Sequence, residues 1–276
     1  MKLAYSSNAY RRWPIEETMA RIARLGYEGM ELMADVPHAW PGDMSAARMD
    51  ELRNALSAHR LTLSSVNAFM MSAVQDFWHP SWIEKDPNFR QLRVRHTIEC
   101  LRLARWLGAG CITTEPGGPL EPGMLRAHAM EIFVEGLQEV LRVAEEVEVR
   151  LLVEPEPGLL IENTEQFLEL AQRIDSPMFG LNFDVGHFFC VNEDLPTAID
   201  RLQTWTRHYH IEDIATTRVH EHLIPGHGAI DFPGVLDAIR DTHYDGWLTV
   251  ELYPYLDDPD AAGREALHYL QRMISM

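Results

Sequence analysis

The stretch Arg150-Leu-Leu-Val-Glu154-Pro-Glu156-Pro-Gly158 runs strand-forming residues into an acid and then into turn formers. A carboxylate at that junction can face a pocket instead of bulk solvent. The pattern returns three times downstream. Gly180-Leu-Asn-Phe-Asp184 ends in Asp, Arg207-His-Tyr-His210 in His, and Trp247-Leu-Thr-Val-Glu251 in Glu. Successive members lie about 25 to 40 residues apart, room for one strand, one helix and two short loops, which together need roughly 30 residues. Glu154, Asp184, His210 and Glu251 are thereby predicted at equivalent places in four consecutive βα units.

Strand and helix patterns alternate over the whole chain. Strands are predicted at Leu3–Ser6, Gly29–Met33, Leu61–Val66 and Cys111–Glu115, followed by those carrying Glu154, Asp184, His210 and Glu251. Helices are predicted at Ile15–Leu25, Ser45–Arg60, Arg90–Leu107, Pro122–Glu146, Thr164–Arg173, Pro196–Trp205, Asp231–Asp241 and Asp260–Met273. Pro14 and Gly26 bracket the first of these, and Ser45 caps the second. Eight strands alternating strictly with eight helices predict a parallel sheet closed into an α/β (β/α)8 barrel, a single domain over residues 1–276. Asn67–Asn88 is too long for an ordinary connection and carries Phe69, Phe77, Trp78, His79 and Trp82. It reads either as an aromatic-anchored surface loop or as a cover over the barrel mouth.

The net charge of −18 disfavours a nucleic-acid partner, because such binding draws on neutralising phosphates. Cys100, Cys111 and Cys190 are far apart and read as reduced core thiols. The opening residues are too polar for a signal peptide, and no apolar run approaches the ~18 residues of a membrane span. A cytoplasmic protein with no membrane partner is the expectation.

In a barrel of this kind the working residues project from the C-terminal strand ends, so the four would converge on one mouth. Three carboxylates and an imidazole crowded together call for a cation or a proton, since like charges at ~4 Å repel by several kcal/mol in a partly dry site. Oxygen donors with one nitrogen suit manganese or magnesium first, with cobalt and zinc as alternatives.

The set Glu154-Pro155, Asp184-Val-Gly-His187, His210-Ile-Glu-Asp213, Pro225-Gly-His-Gly-Ala-Ile-Asp231 and Thr249-Val-Glu251-Leu resembles the xylose-isomerase-like TIM-barrel superfamily. Within it the pattern is most similar to the sugar phosphate isomerase/epimerase group, which includes ketose 3-epimerases and hydroxypyruvate isomerase. The resemblance implies one divalent metal on Glu154, Asp184, His210 and Glu251. It implies proton transfer by Glu154 and Glu251 alpha to the carbonyl of a metal-held ketose or hydroxy-carbonyl, through a cis-enediolate. It also implies a substrate-hydroxyl contact from His187 and is compatible with a homo-oligomer. Two departures stand out. His227 replaces the family's usual Glu in Pro-Gly-Glu-Gly, and Thr216 stands where an Arg is common, leaving Arg218 as the nearest candidate for substrate contact. His38 and Trp40 after strand 2, Glu115 at the end of strand 4, and Glu156 are further pocket candidates. Dehydratases of the same superfamily, acting on 3-dehydroshikimate or keto-inositol, share the proton-abstraction step and form the alternative. A non-catalytic metabolite-binding barrel is the alternative of another class.

Overall fold

The apolar runs become eight strands: β1 (Lys2–Ser6), β2 (Gly29–Met33), β3 (Thr62–Asn67), β4 (Cys111–Thr114), β5 (Arg150–Val153), β6 (Phe179–Asp184), β7 (Thr206–Ile211) and β8 (Trp247–Val250). In the computed structural model, which describes residues 1–274, they are all parallel and close into a barrel in chain order, β8 pairing back onto β1. The expected span of 1–276 includes residues 275 and 276, which lie outside the described residues.

Side-chain caps set most of the helix starts. Ser45 accepts from the Arg48 amide to open α2 (Ala46–His59), and Asp86 accepts from the Asn88 amide to open α3 (Pro87–Leu107). Gly26, at φ 100°, closes α1 (Ile15–Leu25), and Gly108, at φ 84°, closes α3; both take the left-handed conformation that a Cβ disfavours. The ring continues with α4 (Arg126–Val147) and α5 (Thr164–Ala171). It is completed by α7 (Leu195–Leu202), α8 (Phe232–Asp241) and α9 (Pro259–Ile274). The third helix begins three residues before the expected Arg90, because Pro87 is well placed in a first turn capped by Asp86. The fourth begins at Arg126 and not at Pro122, the preceding Pro- and Gly-containing residues forming a loop.

Strict alternation fails at one place. A short helix, α6 (Val185–Cys190), follows β6 directly, so nine α-helices and not eight occur among the described residues, beside two short 3-10 turns. Its cap is Asp184, whose Oδ1 accepts from the His187 amide at 2.7 Å.

Between barrel and helices lies a continuous apolar core with Trp82, Phe133, Phe167, Phe183, Phe188 and Phe232 fully buried. Each such side chain stabilises the fold by about 1.5–3 kcal/mol through removal from water. The barrel interior is partly polar and paired. Ser64 Oγ lies 2.9 Å from Thr249 Oγ1, while the His208 ring spans Asn182 and Thr249 at 2.9 and 2.8 Å. Cys100, Cys111 and Cys190 are free thiols, the first two buried.

Candidate metal centre and active site

Because every strand points the same way, their C-terminal ends share one mouth. The β6–β7 register sets Asp184 beside His210, while Glu154 and Glu251 stand just past the ends of β5 and β8. One ligand atom from each of the four lies within 4.8 Å of the others, and all four residues are buried. His210 Nδ1 is 2.8 Å from Glu154 Oε1, 3.8 Å from Asp184 Oδ2 and 3.7 Å from Glu251 Oε2. Its other nitrogen, Nε2, lies 2.6 Å from Glu31 Oε1 on β2. Ser6 Oγ and Asn67 Nδ2 each donate to Glu31 Oε2 at 3.2 Å, and Asn8 Nδ2 donates to Glu251 Oε1 at 2.8 Å.

The electrostatics follow from this crowding. Burial opposes a charged His210, but Glu154, Glu31 and Glu251 outweigh it and hold its pKa well above the ordinary value. Burial, reinforced by the neighbouring acids, pushes the Glu154 and Glu251 carboxyls up despite the pull of His210. Burial would raise Glu31 too, yet its direct contact with His210 brings it below the usual range.

The donor set fits a divalent ion. Asp184 spends Oδ1 on the helix cap, and its buried Oδ2 has no hydrogen-bond partner. His210 presents Nδ1 to three carboxylates while Glu31 fixes its far nitrogen, the carboxylate–imidazole arrangement that orients metal-binding histidines. Three oxygens and one nitrogen suit a hard or borderline ion.

Above the four residues is a cavity of about 160 Å³. Asn8, Asn67, Glu154 and Glu251 line its floor, and Glu156, His187, His220 and Tyr253 its wall. Phe69, Met70, Phe77 and Trp78, all from the long 67–88 connection, cover it, so that segment is a lid and not a detached surface loop. Its backbone is tied to Arg93 on α3, which donates to the carbonyls of Ala68, Phe69 and Pro80 at 2.9, 2.6 and 2.9 Å.

Of the residues singled out in the sequence, the structure brings Glu154, Asp184, His210 and Glu251 together and sets His187 and Glu156 in the cavity wall. Four others do not line the cavity. His38 spends both ring nitrogens on Ser7 Oγ and the carbonyls of Tyr10 and Trp13, and burial pulls its pKa down to about 4. Trp40 stacks on His96 with ring centroids 4.7 Å apart. Glu115 accepts from the Trp82 amide at 2.9 Å near buried Arg93, and burial raises its pKa to about 7. Arg218 lies over the Phe189 ring and donates to that residue's carbonyl. His227, the substituted position, sits on the surface 2.8 Å from Glu265 Oε1. Sequence reasoning missed Glu31, an acid within the apolar run Gly29–Met33 whose position on a strand was its one signal. His220 and His222, which follow β7, turn inward beside His187.

A (β/α)8 barrel with an acid-and-imidazole cluster at its C-terminal mouth is the class this geometry defines. The chain belongs to the xylose isomerase-like TIM barrel family, whose sequence model matches residues 19–273. It is 23% identical over 280 residues to fructoselysine 3-epimerase of Escherichia coli O157:H7, covering 99% of this chain and 98% of that protein. It is 26% identical over 263 residues to an inosose dehydratase of Clostridium perfringens, covering 86% and 81%. Among solved structures, the IOLI protein with a bound zinc atom superposes with a TM-score of 0.83 at 18% identity, over 100% of this chain and 98% of that one.

Proposed function

We propose that the protein is a divalent-metal-dependent isomerase or epimerase that moves a proton alpha to the carbonyl of a small ketose or hydroxy-carbonyl compound. The observation that carries this reading is the placing of Glu154 and Glu251 together on the cavity floor, within 4.8 Å of Asp184 and His210. A divalent ion on these four residues supplies Lewis-acid polarisation of a carbonyl and its neighbouring hydroxyl. One of the two glutamates removes the proton from the adjoining carbon and the other returns one, the work of a general base and a general acid. Asn8 holds the Glu251 carboxylate in place through its 2.8 Å bond. The aromatic lid keeps water from the reacting carbon. No Lys or Arg lines the cavity among the described residues, which favours an unphosphorylated polyol-like substrate over a sugar phosphate.

The test is exchange of the substrate's α-proton with solvent deuterium, over a panel of ketoses and keto-inositols with manganese, magnesium, cobalt or zinc present. Glu154→Gln is expected to lower exchange at least ~100-fold while leaving the melting curve in place, the scale of a lost general base. Full exchange in that variant removes Glu154 from the reaction. The similarity to an inosose dehydratase favours a second reading, elimination of water after the same proton abstraction, and a conjugated product absorbing in the ultraviolet identifies it. A ketose that binds but never exchanges leaves a metabolite-binding barrel.

A further inference from the structure

We propose that the substrate carries an uncharged apolar group, such as an aromatic ring, held under the lid by Phe69, Met70, Phe77 and Trp78. The reading of the site as a ketose site is needed only for the polar half of that molecule, the half that reacts. The two sides of the cavity differ in chemistry. Its floor and wall offer carboxylates, carboxamides and imidazoles to a row of hydroxyls. Among the four lid side chains, the indole N–H of Trp78 is the one strong hydrogen-bonding group, the Met70 sulfur being a weak acceptor. A bare polyol pressed against that roof leaves its upper hydroxyls stripped of water and unpaired, which opposes binding. An apolar group there removes ring surface from water instead. No Lys or Arg lines the cavity among the described residues, so nothing in it pairs an anionic substituent.

The apolar character of the lid is not a by-product of the barrel core. Met33, Phe69 and Met70 form a small buried cluster apart from the main one, and Phe77 packs against it. Phe69 meets Trp78 edge to face with ring centroids 5.8 Å apart, and Trp78 is tilted against Phe77 at 6.2 Å. Arg11 sets its guanidinium 5.2 Å from the centre of the Phe77 ring. These contacts place the rings before a ligand arrives, which lowers the ordering cost of binding. Trp78 nonetheless stays 37% exposed, with Phe77 half-buried beside it. The substituent covers that remaining ring surface and keeps water from the mouth.

Binding and exchange are measured on the full chain loaded with manganese or zinc. The probes are D-fructose and D-tagatose, each free, as the benzyl ether of either terminal hydroxyl, and as the matching aminoethyl ether. Calorimetry gives Kd, and loss of the α-proton to solvent deuterium gives kcat/KM. A benzyl ether is expected to exceed its free ketose ~10- to 100-fold in both, the range for burying one aromatic group. Trp78→Ala, at a partly exposed position that tolerates truncation, brings that ratio towards one, and Trp78→Phe restores most of it. A merely structural role lowers both members of the ratio alike, and melting curves check the fold. Free ketoses that match the benzyl ethers, aminoethyl ethers that surpass them, or a preference that survives Trp78→Ala overturn the apolar subsite; exchange in any of them leaves the proton-transfer reading standing. Benzyl ethers that bind in preference through Trp78, while no compound exchanges, uphold the subsite and refute proton transfer. A metal-loaded chain that binds none of the compounds refutes both.

Discussion

Glu31 does its work through another residue. Its Oε1 sits 2.6 Å from His210 Nε2, and Ser6 and Asn67 hold its other oxygen, so the imidazole is pinned with Nδ1 towards the three acids. Glu31→Gln keeps the size but weakens that hold, and metal affinity is expected to fall about 10- to 100-fold with little loss of fold stability. Titration with manganese or zinc decides it, and unchanged affinity would mean that Glu31 only fills space. The four residues nearest the candidate ion were legible because each sits at the same point of a repeating pattern. Glu31 was not, because Met30-Glu31-Leu32 alone reads as an ordinary strand. Its partner His210 lies 179 residues away, and only barrel closure brings the two together.

At the scale of elements, the lid depends on one buried cation. Arg93 ties down three carbonyls of the 68–80 segment and faces Glu115 at 3.9 Å, both side chains having no exposure. Arg93→Met is expected to destabilise the protein by about 3 kcal/mol, since it orphans those carbonyls and a buried acid. Adding Glu115→Gln should recover part of that loss in urea unfolding. Arg93→Met should also raise KM more than it lowers kcat and speed proteolysis between residues 69 and 80. Equal proteolysis of wild type and variant would argue that the lid is held by its own aromatic packing. The helices were readable from their caps and terminal glycines. The short α6 was not, because Asp184 reads equally well as the last residue of a strand and as the cap of a helix, and in the structure it is both.

For the whole molecule, acid stability carries the mark of burial. His38 has its pKa pulled from 6.5 down to about 4, so the folded state binds fewer protons than the unfolded chain between those values. Its contribution is therefore intact above about pH 6.5, fades as the pH falls, and stops changing below about pH 4. From pH 7 to pH 5 this amounts to about 2 kcal/mol, a loss that His38→Gln should remove from the difference between melts at the two pH values. An unchanged pH dependence in His38→Gln would show that His38 is not the group responsible.

The parallel barrel, the order of its units and the four residues at its mouth could be read from the amino-acid order alone. These rest on local period, turn chemistry and the fixed direction of strands, which act over tens of residues. Folding in three dimensions was needed to show that Glu31 orients His210, that His38, Trp40, Glu115 and Arg218 do not line the cavity, and that the 67–88 segment does. It alone set His220 and His222 against His187. Side-chain direction at a strand end or in a loop depends on which distant backbone and side-chain groups closure supplies as partners, and no local pattern encodes them.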